Sequence, residues 1–462
     1  MGDPTTVLDK AVKGASVTRA VMVEQGALAK LPGLLASLGQ GRKCQIVADP
    51  NTMTAAAHQV IRELRSAGIA VEDPIVLTES PRLKPRAEAA RALSLRLKQS
   101  GALPIAVGSG VLNDITKYAA EVAGLSYASV ATAASMDGYA ASGAAMLEGG
   151  FKQTLPCAPP IAVLADLDIL AKAPARMGAW GYSDLAGKVT AGADWILADA
   201  LGEEPLDGQA FALVQDNIRS WLSAPEGIAR GDAEALRGLM DGLLVSGFAM
   251  QAYGNSRPAS GSEHQISHVW EMERLTVGGE PAAHGACVGV ATVAILALYE
   301  WFLGQDVSTA ARRQATDAPP DPAQVEAEVV AAFADPGIAA SARTEMAAKM
   351  AVAGRRRARL ATLAATWPSL RERLAATLVP PDQMETWLEA SGAAAHPNDL
   401  AVPLAKLARD YRRARLIRRR YTILDCLDDL GWLDRGIEAL FARDGFWSRR
   451  ERGAAPKTAA GH

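Results

Sequence analysis

Three of the chain's six histidines stand close together: His264 and His268 in SRPASGSEHQISHVWEMERL, and His284 in AAHGACVGV. His264 and His268 are four residues apart, the spacing that puts two side chains on one face of a helix. The SGSE segment ahead of them can cap that helix. His284 precedes a glycine at the start of the next apolar helix. Asp184, in GYSDLAGK, sits near the start of another helix, with Lys188 one turn on. A carboxylate and imidazole nitrogens are ligands for a divalent cation. Three of the four candidates would suffice as ligands, with open positions for a substrate oxygen, and the fourth could hydrogen-bond the substrate. A metal so held acts as a Lewis acid on an alcohol or carbonyl oxygen. No glutamate separates the paired histidines as in HExxH, so a zincin protease is not expected. The plainer alternative is that these histidines cap helices or fill a polar core.

A second constellation lies in IAVGSGVLNDITKYAA. It reads as a strand, then Gly108, Ser109 and Gly110, then a helix opened by Val111, Leu112, Asn113 and Asp114. Glycines let the backbone approach a pyrophosphate, and the helix N-terminus offers free amides and partial positive charge. The dinucleotide pattern GxGxxG is not met, because VLND replaces its third glycine. A simple strand–helix turn is the alternative. Asp49 ends the earlier run CQIVAD, where a carboxylate can take a ribose 2′-hydroxyl. Thr132 to Ser135 end the run YASVATAAS, where their hydroxyls can reach a cofactor.

These residues need elements to position them. In the first third, short apolar runs (AVMVE, CQIVAD, DPIVL, LPIAVG, YASVA) alternate with helical sequence such as TAAAHQVIRELRSAG. That alternation predicts a parallel sheet with crossover helices. After about residue 165 long helical segments dominate and no further run of strands is expected. The predicted fold is an N-terminal dinucleotide-binding α/β domain over 1–165 and an all-α domain over 166–462. The proline- and aspartate-rich start of APPDPAQVEAEVV reads as an exposed loop, and residues 453–462 as a disordered tail.

Composition frames the rest. The chain is 49% hydrophobic with a net charge of −3, which gives no global pull toward nucleic acid or an anionic membrane. Cys44, Cys157, Cys287 and Cys426 form no CxxC and suit reduced thiols in the cytoplasm. No signal peptide is read at the N-terminus, and no uninterrupted apolar run long enough to span a bilayer. Arginine clusters at 355–359 and 412–420 allow nucleic-acid binding or a subunit contact, but interspersed acids favour a solvated helix face. Apolar helical surface suits a homodimer or larger homo-oligomer.

Five segments in order, VGSGVLNDITKY, TAASMDGYAASGAAM, GYSDLAGKVTAGADW, SRPASGSEHQISHVWEM and YTILDCLDDLGWL, resemble the bacterial sn-glycerol-1-phosphate dehydrogenases. These belong to the iron-dependent alcohol dehydrogenase and dehydroquinate synthase-like superfamily. The resemblance implies a dehydroquinate synthase-like fold and reversible reduction of dihydroxyacetone phosphate by NADH or NADPH to sn-glycerol 1-phosphate, a precursor for phospholipid biosynthesis. It implies a zinc or nickel ion, with iron as a further option, held by Asp184, His264 and His284. Asp137, Asp184 and His268 would meet the substrate, and Asp49, residues 108–114, Thr132, Ser135 and Ser142 the cofactor. The substrate phosphate needs cations, for which Lys188 and Arg257 are the candidates. Asp137 has simple turn chemistry as its alternative, since Asp-Gly is a common turn. Ala134 stands where relatives often carry proline, and Ala141 where they often carry serine. Rival readings are a polyol dehydrogenase, a dehydroquinate synthase-like cyclase, and a non-catalytic metal- or nucleotide-binding protein.

Overall fold

A computed structural model describes residues 6–79, 83–148, 151–314, 321–350 and 352–450. The expected tail over 453–462 lies outside the described residues. The chain divides into two compact units: residues 1–185, 212–258 and 390–392 form one, residues 186–211, 259–389 and 393–462 the other.

The first unit holds a parallel sheet. Its strands are β1 (Ala20–Glu24), β2 (Lys43–Ala48), β3 (Ala70–Val71), β4 (Ile75–Val76), β5 (Leu103–Gly108), β6 (Ala128–Ala131) and, after a hairpin of β7 (Ala144–Glu148) and β8 (Phe151–Leu155), β9 (Ala162–Asp166). The order is β1-β9-β6-β5-β2-β3, with β4 also on β2, and every pairing in this sheet is parallel. Neighbours on one strand feed opposite faces. Ile46 packs in a core with Ile105, Val107 and Leu164, whereas Val47 packs with Leu93, Leu112 and Ile115. Burial on both faces explains why these strands read as continuous apolar runs rather than alternating ones. Helices α1 (Ala87–Ser100) and α2 (Gly110–Ala123) pack against each other, and the latter leaves β5 directly.

Four strands of this unit were not anticipated, the two-residue β3 among them. β9 lies between β1 and β6 although its sequence, AVLAD, falls at the expected domain edge. The β7–β8 hairpin pairs Met146 with Gln153 across an antiparallel ladder. The same unit also includes the first part of helix α3 (Ala175–Ala200) and helix α4 (Ala233–Tyr253).

Among its described residues the second unit is helical apart from a two-residue ladder, Thr276–Val277 with Glu280–Pro281. It takes the rest of α3 and helices α5 (Ser262–Met272), α6 (His284–Leu303), α7 (Arg356–Thr377), α8 (Leu404–Leu416) and α9 (Ile423–Asp429). Contrary to the sequence expectation, α6 is long and apolar enough to cross a membrane, with a mean hydropathy of 1.9, yet 83% of that stretch is buried inside the protein. It is the central helix of the unit, so it needs no polar face.

Asp194, on α3, ties the helices together and is fully buried. Its Oδ1 accepts from the Tyr299 hydroxyl at 2.7 Å and the Ile423 N–H at 2.8 Å; its Oδ2 accepts from the Ser262 N–H and hydroxyl, both at 2.7 Å. One carboxylate thus joins α3, α5, α6 and α9.

The arginine clusters are split rather than one solvated face: Arg356, Arg359 and Arg415 are buried, whereas Arg355, Arg357, Arg418 and Arg419 are exposed. Arg359 grips Asp429 with two nitrogens, at 2.7 and 2.9 Å, and Glu203 at 3.1 Å. Arg415 pairs with Glu328 and Asp428, Arg413 with Asp410 and Glu273, and Arg419 with Glu345. All four cysteines are free and buried.

Candidate active site

The loop of the first unit is built around glycines. Gly108 ends β5 and Ser109 occupies the N-cap of α2, with Gly110 its first residue. A Cβ on Gly108 would lie 2.7 Å from Leu112 Cβ, so only glycine lets β5 turn this tightly into α2. Leu112, Asn113 and Asp114 are buried in the first turn. Asn113 Oδ1 accepts from the Tyr127 hydroxyl at 3.3 Å, and the Thr132 N–H donates to Gly108 O at 3.1 Å. Asp49 follows β2 directly but caps the next short helix, its Oδ1 accepting the Thr52 N–H at 2.8 Å. Thr132 is buried, Ser135 half-buried and Ser142 exposed.

Asp137 sits on the loop that follows β6. Three helices give this loop room through glycine: a Cβ on Gly110 would meet Met136, one on Gly181 the Ala134 carbonyl, and one on Gly247 the Asp137 carbonyl at 2.9 Å. Lys117, which the sequence reading passed over, holds the loop from α2. Its Nζ donates to the carbonyls of Gly138, Ala141 and Gly143 at 2.8, 2.9 and 3.0 Å. Burial pulls the Lys117 ammonium below its ordinary value, opposed by nearby Asp114. Asp137 accepts the Ser246 hydroxyl at 3.2 Å and donates its N–H to Asp184 Oδ2 at 3.0 Å. Arg257 is fully buried in this unit.

The second unit gathers all three histidines. Ring centroids are 5.2 Å apart for His264 and His284, 5.8 Å for His264 and His268, and 6.0 Å for His268 and His284. His264 and His284 bring ligand atoms within 4.8 Å of each other, and His268, Glu271 and His284 form a second such group. His264 Nδ1 is 2.7 Å from Glu263 Oε1, and His284 Nδ1 bonds Glu271 Oε1. Burial alone would raise the Glu263 carboxyl, but bonds from His264, Gly261 and Thr190 hold it below the usual range. His268 is pushed well down by burial, then by the Arg418 charge, against the pull of Glu271. Its Nδ1 has no hydrogen-bond partner among the described residues.

The SGSE segment does start α5, through its glycine and glutamate rather than a serine hydroxyl. Gly261 is the N-cap, and the first amides go to carboxylates instead: Gly261 N–H to Glu263 at 2.7 Å and Ser262 N–H to Asp194. Asp184 stands in the third turn of α3 rather than near its start, and is fully buried, as is Lys188 one turn on. The donors suit a divalent cation: imidazoles whose Nδ1 is taken by carboxylate keep Nε2 for a metal. Sequence reasoning missed Glu263, Glu271, Asp194 and Lys117. Glu263 carried a signal in standing next to a candidate ligand; the others carried none.

Comparison with known proteins agrees with this chemistry. Residues 22–174 match the family model described as iron-containing alcohol dehydrogenase. A glycerol-1-phosphate dehydrogenase [NAD(P)+] of Halalkalibacterium halodurans is 37% identical over 55% of this chain and 64% of its own length. The chain thus spans slightly under two thirds of that relative. The enzyme of the same name from Methanothermobacter thermautotrophicus is 33% identical over 57% of this chain and 74% of its own length. In fold, the crystal structure of a probable glycerol dehydrogenase from Sinorhizobium meliloti matches with a TM-score of 0.56, covering 91% of this chain and 98% of that one at 15% identity. The chain belongs to the glycerol-1-phosphate dehydrogenase family.

Proposed function

We propose that this chain is a cytoplasmic NAD(P)H-linked dehydrogenase that reduces dihydroxyacetone phosphate reversibly to sn-glycerol 1-phosphate. The observation that carries it is the pairing of His264 and His284 with carboxylates on Nδ1, a donor arrangement made for a metal rather than for helix capping. Relatives bearing the name of this activity support the substrate.

In this reading residues 1–165 are the dinucleotide-binding half and 166–462 the metal- and substrate-binding half. Gly108 to Asp114 cradle the cofactor pyrophosphate on the amides of α2, Asp49 faces the ribose, and Thr132, Ser135 and Ser142 line the remainder. Asp184 joins His264 and His284 as the third ligand. Its position on α3 supports this, since Gly187, on the same face one turn later, packs against Glu263 and Val288 of α5 and α6. A bound zinc, nickel or iron ion would polarise the C2 carbonyl, and the nicotinamide would supply hydride. Asp137 orients the terminal hydroxyl, and His268 hydrogen-bonds the substrate near C2 and relays the proton. Lys188 and Arg257, both fully buried, are the cations for the phosphate. Homo-oligomerisation belongs to the same proposal.

The test is NADH oxidation by chelator-treated enzyme re-supplied separately with zinc, nickel and iron(II), with dihydroxyacetone phosphate or dihydroxyacetone as substrate. Metal-dependent turnover with a much higher kcat/KM for the phosphate ester is expected. Equal use of both ketones would overturn the phosphate assignment, and turnover without net NADH loss would point to a cyclase.

A further inference from the structure

We propose that Glu263 and Glu271 are positioning residues that fix the imidazole tautomers of His264 and His284, presenting Nε2 of both rings to one metal ion. This rests on the metal reading above and adds the groups that set the ligands' orientation and basicity.

The geometry around Glu263 carries the argument. Adjacent residues on a helix point away from each other, so a bond between Glu263 and His264 does not follow from helix geometry. It is made at the first turn of α5, where Glu263 folds back on the N-cap. Its Oε1 accepts from Gly261 N–H at 2.7 Å and meets His264 Nδ1 at 2.7 Å, and its Oε2 accepts the Thr190 hydroxyl at 2.7 Å. The side chain is fully buried. A Cβ on Gly187 would come within 3.3 Å of Glu263 Cγ, and one on Gly261 within 2.8 Å of Oε2. The surroundings leave room for this one carboxylate in this one orientation. A carboxylate bound to Nδ1–H leaves the lone pair on Nε2 and strengthens it as a donor.

Glu271 repeats the arrangement one helix turn beyond His268. Its Oε1 accepts the Ser267 hydroxyl at 3.1 Å and bonds His284 Nδ1. The site here is more open: the His284 side chain is 31% exposed against 7% for His264. The rigid, buried Glu263 is therefore expected to matter more.

The experiment measures cobalt(II) affinity by competition with a chromophoric chelator, with the cobalt absorption spectrum read on the same samples. Thermal unfolding of the metal-free proteins checks the fold. Glu263→Gln keeps an acceptor of the same shape but removes the charge. It is expected to weaken cobalt binding about 10-fold or more, as loss of such partners does elsewhere, with the same absorption bands because the ligands are unchanged. Glu271→Gln is expected to do the same by a smaller factor. Should Glu263→Gln fail to fold, Glu271→Gln alone decides. Affinity within twofold of the wild type in a folded variant overturns the proposal. So does an altered band pattern, which would make the glutamate a ligand itself. If the wild type leaves cobalt with the chelator, the metal reading fails, and this inference with it.

Discussion

In the α/β unit the groups around Asp137 are held by backbone: Gly110, Gly181 and Gly247 make room, and Lys117 gathers three carbonyls. In the helical unit the histidines are held by carboxylates: Glu263 on His264, Glu271 on His284, and Asp194 under the start of α5. The first device fixes a loop against α2 and tolerates little change in shape. The second sets charge and tautomer, and tolerates changes in shape better than changes in charge. Substitutions in the two regions should therefore fail differently.

The largest effect is expected from His264→Ala. Loss of a ligand removes the metal and several kcal/mol of transition-state stabilisation, a fall in kcat/KM of roughly 10³-fold or more. Metal analysis together with NADH-oxidation kinetics checks it, and a protein that keeps both metal and turnover would break the comparison. Next comes Lys117→Met, which leaves three buried carbonyls without their donor. At ~1–3 kcal/mol for each unsatisfied group, partly relieved by relaxation, a loss of roughly 2–4 kcal/mol is expected. Denaturant unfolding reads it, and cobalt affinity should fall less than in Glu263→Gln, because the carboxylates on His264 and His284 are untouched.

Gly181→Ala pushes a methyl into the Ala134 carbonyl, a backbone atom that cannot swing aside. Overpacking of this kind costs about 1–3 kcal/mol, read as a lower Tm, whereas Gly238→Ala, whose Cβ would meet nothing within 4 Å, should not lower it. The smallest effect concerns Asp241 on α4. Burial raises its carboxyl to about 6, with Arg237 opposing. A raised carboxyl means the folded state holds the proton longer than the unfolded one. Its stability contribution is present at low pH and lost as pH rises from about 4 through 6. Asp241→Asn should thus gain on the order of 1 kcal/mol above pH 6 and nothing at pH 4, measured as the pH dependence of unfolding. A gain that is equal at both pH values would contradict that assignment.

The parallel sheet and the glycine turn from β5 into α2 were legible because each is local: a run of apolar residues, then glycines, then a helix. β9 was missed because AVLAD stands alone between PPI and a helix, without the crossover that flags the other strands. The hairpin had a signal in Gly149-Gly150 between two runs, the pairing expected of a tight turn. The histidine cluster was legible as a cluster, since residue type and spacing carry that information. Its supports were not. Asp194 meets Ser262, Tyr299 and Ile423 across 68, 105 and 229 residues, and no periodicity reports such contacts. The buried arginines of the two clusters were missed for the same reason: their partners, Asp429 and Glu328 among them, are distant in sequence.

The most direct test of the account follows NADH oxidation with dihydroxyacetone phosphate by metal-free enzyme, before and after one equivalent of zinc or nickel, with wild type and His264→Ala side by side. Turnover restored by metal in the wild type, absent in the variant and much weaker with dihydroxyacetone is the predicted result. Turnover by the metal-free wild type, or equal turnover by His264→Ala, would contradict it.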